Sequence, residues 1–403
     1  MAIDAWWITQ ELRADDGPLR LDGVDLDALA RAHGTPTFVY SLSRIRRRLR
    51  ILHDLLSDRG LTPKLRYAIK ANRHPRVLAA AKSVGAGLDI CSPRELERAL
   101  AAGFRPEDIA MTVSYTSDAD LRAIVERGVT PTLDARSGLR RYAKIAGRGA
   151  EVGLRLDPGS IPGWGDDPKL SYGASKFGVV PGDLDDVLGV ARDAGLKVVG
   201  LHVHPGWGMQ AHAETAFRAG LQRLRDAAAK VPDLRWVDVG GGLGGRYRAS
   251  DAPLDPTKWA DAVAEIVGPL GVPVLCEPGT FVVAQAGVLL VEINTVEIRG
   301  GRRYIGVNAG HALNPCPALY GIPIEVVPTA RPLAEPVGVA QIVGHINEAT
   351  DVWAKDRPFA DVAEGDFAAL LPAGAYAASM SSDHCLRGVF SEVCVDDGAI
   401  VRG

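Results

Sequence analysis

The sequence predicts an α/β protein: a (β/α)8 barrel of the TIM type, with a β-rich domain after it that the N-terminal segment joins. Three observations predict this. From about residue 60, short apolar runs alternate with segments of helical period. Polar or reactive side chains recur at the C-terminal ends of those runs, and after Gly279 strand-like runs follow one another without helices between them. Strands alternating with helices make a parallel sheet. Eight such units in roughly 220 residues fit a barrel, whose active site lies at the C-terminal ends of its strands. An open doubly wound sheet is the competing architecture that periodicity leaves open.

In chain order, LRYAI ends just before Lys70, GLDI carries Asp89, DIAMTV carries Met111 and TPTLD ends at Asp134. EVGLRL then carries Arg155, KVVGLHV precedes His204, LRWVDV carries Asp238 and VPVLC precedes Glu277. Segments such as HPRVLAAAKSV, SPRELERALAAG and AETAFRAGLQRLRDAAAK between them read as helices. Beyond Gly279, FVVAQAGVLLVEINTVEI, RRYIGVN, IPIEVVP and GVAQIVGHI read as strands. WWITQELRADDGPLRLDGV, near the start, has strand and turn character and is expected to add to the β-rich domain. The expected division is residues 1–35 as that added segment, 36–282 as the barrel and 283–403 as the β-rich domain.

Composition narrows the function. A chain of 403 residues is long enough for two domains, and 47% hydrophobic with 24% charged residues is ordinary for a soluble globular protein. A net charge of -3 points to neither nucleic acid nor a membrane surface as partner. The first residues lack a basic region followed by an apolar run, so no signal peptide is expected, and no apolar stretch is long enough to span a bilayer. The five cysteines are scattered, without CxxC pairs or metal-ligand spacing, which suits a reducing cytoplasm and no metal.

The strand ends collect chemistry. Lys70 follows an apolar strand, where a desolvated amine loses its proton more easily and can attack a carbonyl. The run Gly240, Gly241 and Gly242 lets backbone N–H groups approach a phosphate after the seventh strand. Glu277, beside a pyridine ring, would keep the ring nitrogen protonated. His202 and His204 alternate on a strand and are expected on opposite faces, so one histidine against a flat ring is favoured over a shared metal.

These residues sit in a series of motifs: YAIKANRHP, GLDICSPRELERAL, SKFG at Ser175–Gly178, GLHVH, VDVGGGLGG, EPG, PALY and PAGAYAASMSS. In that order they resemble the fold-type III pyridoxal-phosphate decarboxylases, the group of diaminopimelate and ornithine decarboxylases, from about residue 36 to the end. The resemblance implies a barrel plus a β domain, pyridoxal 5'-phosphate as cofactor, an amino-acid substrate, and a homodimer with active sites at the subunit interface. Lys70 would hold the cofactor as a Schiff base, His204 would stack on its ring, and Glu277 would pair with the pyridine nitrogen. Gly241, Gly242 and Tyr376 would bind the phosphate, Asp89 and Arg155 would line the pocket, and Tyr320 would reach toward substrate.

Four departures carry information. Where the family has HIGS this chain has His204, Pro205, Gly206 and Trp207, so tryptophan replaces a phosphate-side serine. EPGR ends here in Thr280, and RPALY begins here with Cys316. In the diaminopimelate enzymes those two arginines grip the distal carboxylate, so their loss argues against diaminopimelate as substrate. The CESGD motif, contributed by the partner subunit, reads Asn347, Glu348, Ala349, Thr350, Asp351, so the cysteine that helps protonate the product is missing. Glu348 keeps its carboxylate for a distal ammonium group or other donor, and Cys385 and Tyr376 are the candidate replacement acids. Alternatives are a racemase or a decarboxylation-coupled transaminase on the same barrel, a decarboxylase of an aminoacyl group on a carrier protein, and an inactive homologue that only binds partners.

Overall fold

The computed structural model describes residues 5–401 apart from Asp16, Pro168, Lys169 and Ala174. Eight strands, Pro63–Ala68, Gly87–Ile90, Ile109–Thr112, Pro131–Leu133, Glu151–Leu156, Lys197–Val203, Trp236–Asp238 and Val274–Cys276, form a closed barrel. Each pairs in parallel with the next, and the eighth closes on the first with Cys276 opposite Leu65. Closure decides against the open doubly wound sheet.

One local device recurs on the outer layer. Helices Pro75–Ser83, Pro93–Ala101 and Pro256–Val267 each begin with proline behind a polar cap, His74, Ser92 and Asp255. Proline suits a first turn because its missing N–H has no helical partner there, and the cap side chain accepts an otherwise orphaned N–H. After the eighth strand comes only the short helix Thr280–Val283, and helix Leu42–Ser57 packs against both Pro75–Ser83 and Pro256–Val267 to complete the layer. Its buried stripe, which includes Ile45, Leu49, Leu52 and Leu56, has helical spacing. Inside the barrel, the Trp236 ring lies so close to Gly200 that a Cβ there would stand 2.0 Å from it.

The second domain is a sheet ordered Val352–Ala360, Pro336–Val343, Arg302–Val307, Gly287–Arg299, Thr37–Ser41, Ser391–Asp396, Ala399–Val401. Phe367–Leu371 pairs with Gly287–Arg299 and with Glu325–Pro328. Two sequence expectations change here, and the N-terminal segment joins the second domain as expected, by packing rather than strand pairing. Thr37–Ser41 lies within the stretch expected to open the barrel, yet it is a fully buried strand of the second sheet, held between Gly287–Arg299 and Ser391–Asp396. Residues 281–286 were expected in a strand but form helical turns, and the strand starts at Gly287. Their apolar run is buried on all sides, and such a run does not distinguish helix from strand. The segment before residue 36 forms its own sheet of Leu12–Arg13, Arg20–Leu21 and Val24–Asp25. It meets the second domain through packing, with Trp7, Leu19 and Leu21 clustered with Val39, Val288 and Leu371.

Candidate active site

The C-terminal mouth of the barrel gathers the residues singled out from sequence. Lys70 lies two positions beyond the end of the first strand, where Ala68 is paired with Asp89 of the second. That register brings Lys70 Nζ to 2.9 Å from Asp89 Oδ2, with Asp89 almost fully buried. Burial alone would lower the Lys70 pKa, but Asp89 and Glu277 outweigh it and hold the amine well above its ordinary value. The expected easy loss of its proton is therefore corrected: with Asp89 as partner, Lys70 is held as the ammonium.

Glu277 follows the eighth strand and is fixed by its backbone, whose N–H donates to Gly240 O at 2.8 Å. Its Oε2 accepts from His202 Nε2 at 3.1 Å. Burial would raise the Glu277 carboxyl, but His202 and Lys70 prevail and hold it below the usual carboxylate range. Burial lowers the pKa of His204 well below the usual imidazole value, aided by the charge of Lys70. Its Nδ1 accepts from Gly206 N–H at 3.2 Å, which places the ring proton on Nε2. The Tyr172 ring stands 5.0 Å from it.

The opposite-face expectation for the two histidines also fails. Residues two apart on a strand point to the same face, and the two rings, His202 in the sixth strand and His204 just beyond its end, lie 6.4 Å apart. Sequence reading weighed His202 only as a metal ligand or ring neighbour and missed its contact with Glu277, which lies 75 residues further along.

Around this centre, Arg155 is buried with its guanidinium 4.3 Å from the Phe177 ring. Gly242 has φ +91°, and a Cβ there would meet Pro205 Cγ at 2.5 Å, so the turn tolerates only glycine. Gly241 packs on Glu277 O, where a Cβ would stand 2.5 Å away. Tyr376, at φ +57°, donates its N–H to Ala71 O at 2.8 Å and brings its phenol to the Gly279 turn. Burial raises that phenol's pKa.

A cavity of about 130 Å³ beside Lys70 is lined by Tyr172, Trp207, Cys316, Tyr320, Tyr376 and Met380, among others. Trp207 thus faces the space beside the lysine and packs on Tyr247 at 5.3 Å. Cys316 and Thr280, the two positions without arginine, are both buried, and burial pushes the Cys316 thiol up to about 12. Glu348 and Cys385 are not among the residues lining this cavity. Both are exposed on the second domain, where Glu348 Oε1 lies 3.3 Å from His384 Nε2.

A closed barrel with a lysine, a carboxylate and an imidazole converging at its C-terminal mouth defines a cofactor-dependent enzyme site. Residues 42–284 match the family model described as "Pyridoxal-dependent decarboxylase, pyridoxal binding domain", and the chain belongs to that family. Its cofactor is pyridoxal 5'-phosphate, and it is a pyridoxal-phosphate-dependent decarboxylase. Among its relatives, diaminopimelate decarboxylase of Methanothermobacter thermautotrophicus is 34% identical, over 96% of this chain and 92% of the relative. The enzyme of that name from Pseudomonas aeruginosa is 36% identical, over 94% and 92%. A solved structure described as AQ1208 from Aquifex aeolicus superposes with a TM-score of 0.87 at 28% identity, covering 97% of this chain and 94% of that one. A point variant of diaminopimelate decarboxylase from Helicobacter pylori, complexed with L-lysine, gives 0.85 at 25%, covering 93% and 95%.

Proposed function

We propose that this decarboxylase acts on an amino acid whose side chain ends without a carboxylate, with Lys70 as the cofactor-bearing lysine. The observation that carries the substrate half is the cavity beside Lys70, whose lining is aromatic and aliphatic and includes Cys316 where the diaminopimelate enzymes are expected to place an arginine. A distal carboxylate would lose its hydration there without a charged partner.

The residues present fit the cofactor. Asp89 Oδ1 and Glu277 Oε1 are buried without hydrogen-bond partners, and the glycine turn at Gly241 and Gly242 leaves backbone room that any Cβ would fill. Pyridoxal phosphate supplies an aldehyde for the lysine and a ring that draws electrons from the bond to the substrate carboxylate. Glu277 would face the ring nitrogen and keep a proton on it. His204, neutral through burial, would lie against the ring. Gly241, Gly242 and Tyr376 would hold the phosphate, and Arg155 and Asp89 would line the pocket. Asp89 takes a second part: its carboxylate holds the ε-ammonium of Lys70 in place whenever that amine is free. Tyr320 and Trp207 would exclude water around the substrate side chain.

Within one chain, Glu348 and Cys385 do not reach this cavity. We infer a homodimer in which they approach the site of the other copy, Glu348 toward the substrate's far end and Cys385 as the acid that returns a proton to Cα. Tyr376 is the alternative acid, already inside the cavity. Among the described residues no helix is long and apolar enough to cross a membrane, which suits an enzyme of the cytoplasm.

The names of the relatives favour a second reading, diaminopimelate itself. The deciding experiment is a panel of meso-diaminopimelate, lysine, ornithine, aliphatic and aromatic amino acids, scored for CO2, product chirality and pyridoxamine phosphate. CO2 from substrates without a distal carboxylate is expected. Efficient lysine formation from meso-diaminopimelate would overturn the substrate reading and make Arg387 the candidate clamp. Inverted substrate without CO2 would indicate a racemase, and turnover only of a carrier-tethered aminoacyl group would make a carrier protein the partner.

A further inference from the structure

Behind Glu277 the barrel holds two titratable side chains that the reading above leaves unused. His202 and Asp238 are both fully buried, and one donor atom each from His202, Asp238 and Glu277 lie within 4.8 Å of one another. Asp238 Oδ1 accepts the Gly240 N–H at 2.8 Å. On its other side Asp238 joins Arg66 in lining a cavity of about 370 Å³ at the N-terminal end of the barrel, beside the strand starts at Lys64, Ile109 and Trp236.

Two carboxylates this close in a protein interior do not both ionise, because mutual repulsion adds to the cost of burial. A single negative charge is thus divided between Asp238 and Glu277, and their surroundings differ. Glu277 accepts from the His202 imidazole and faces Lys70. The titratable groups facing Asp238 are Arg66 from the first strand, Asp89 from the second, His202 from the sixth, Cys276 from the eighth and Glu277 just after it. Arg66 is the one cation in that set, and its guanidinium donates instead to Glu107 O at 3.0 Å.

We propose that His202 and Asp238 are positioning residues for Glu277: Asp238 carries the proton, His202 donates through Nε2, and the negative charge stays on Glu277, where the cofactor's ring nitrogen meets it. This rests on the assignment of Glu277 to that nitrogen. The charge balance of the interior agrees. Burial, reinforced by Glu277, raises the Asp238 carboxyl well above the usual range, and burial holds His202 below the usual imidazole range. A neutral imidazole with its proton on Nε2 has a single ring N–H, and Glu277 receives it. The Asp238 proton lies next to the rear cavity, so it exchanges with solvent without passing the cofactor.

Two measurements test this. The first uses cofactor-free protein and infrared spectroscopy of the protonated-carboxyl carbonyl band, with the side-chain carboxyls isotope-labelled in either aspartate or glutamate. The band is expected to shift with labelled aspartate, to stay with labelled glutamate, and to lose its aspartate component in D238N. A band that shifts with labelled glutamate, or no acid band in the wild type, overturns the proposal. So does a stoichiometric divalent metal in the purified protein that D238N removes. The second compares H202F and H202Q for binding of pyridoxal phosphate and of its analogue with carbon in place of the ring nitrogen. H202F is expected to bind the natural cofactor about tenfold more weakly, in line with a lost hydrogen bond to a charged group. H202Q, which keeps a donor, should recover part of that loss, and the analogue should bind all three proteins alike. Equal losses for both cofactors would make His202 a packing residue. Failure of the wild type to prefer the natural cofactor over the analogue would instead sink the Glu277 assignment, while the infrared result still decides the state of Asp238.

Discussion

The cavity around Lys70 and the surface around Glu348 are built in opposite ways. Around Lys70, the residues Asp89, His204 and Glu277 sit at or just past the ends of different barrel strands, so the closed sheet fixes their mutual positions. Around Glu348 the contacts are among exposed and half-buried side chains on loops: His384 with Glu348 at 3.3 Å, Arg387 with His345 at 3.2 Å, and the His311 and His384 rings 6.1 Å apart. Beside them Leu386 is 84% and Val389 81% exposed. Large apolar side chains this bare, next to charged groups, mark a surface suited to being covered. The difference teaches that one half of the proposed site is preorganised by the barrel, while the other half lies on an exposed surface and depends on the proposed homodimer to complete it.

The largest expected effect lies in the preorganised half. Lys70→Ala should lower turnover by a factor on the order of 10³ or more, since the amine that holds the cofactor covalently is lost. Borohydride reduction of the wild type should fix the cofactor on Lys70, and peptide mapping to another lysine would sink that assignment. Next comes the division between the two halves. Lys70→Ala and Glu348→Ala should each be nearly inactive alone, yet mixed subunits should regain about a quarter of wild-type activity, because a symmetric pair then contains one intact site in half the dimers. No recovery on mixing would mean that Glu348 acts within its own chain or not at all.

A smaller effect concerns pH. His202 and His204 are held neutral below the ordinary imidazole value of 6.5, so the unfolded chain takes up protons that the native one refuses. Stability should therefore be intact above about pH 6.5 and fall as the pH drops, by about 1.4 kcal/mol per unit for each histidine until its folded value is reached. Urea unfolding of the cofactor-free protein between about pH 7 and pH 5 measures the slope. His204→Gln should flatten it, and an unchanged slope would mean that other groups carry the loss. The smallest change is in product partition. Cys385→Ala should shift product from amine toward carbonyl plus pyridoxamine phosphate, while Tyr376→Phe should not. The reverse pattern would move the acid from the exposed half to the buried one.

The barrel was legible because it repeats. Each strand is a short apolar run before a polar cap, and GLDI, EVGLRL and KVVGLHV coincide with observed strands. Lys70, Asp89, His204 and Glu277 were legible for the same reason, since a strand end in a barrel faces the mouth. Asp238 and His202 were not. Each sits within a strand, where an acid or imidazole in the sequence does not reveal whether the barrel interior or the helix layer surrounds it. The state of Lys70 was misread because burial was weighed without its partner, and Asp89 is 19 residues away in sequence. Thr37–Ser41 was assigned by adjacency to the barrel, although its strand partners lie some 250 and 350 residues further along.

The sequence by itself determined the period of the barrel, the change of texture after it, the residue types at the strand ends and the absence of arginine at positions 280 and 316. These are local or pattern properties, fixed by side-chain spacing and by which atoms a residue carries. Only the tertiary structure decided that the sheet closes, that an N-terminal strand lies in the middle of the second sheet, that Asp89 holds the Lys70 ammonium, and that His202 rather than solvent meets Glu277. The reason is physical: hydrogen-bond register, burial and the sign of a pKa shift depend on which distant groups come within a few ångströms, and chain closure sets that distance, not sequence separation.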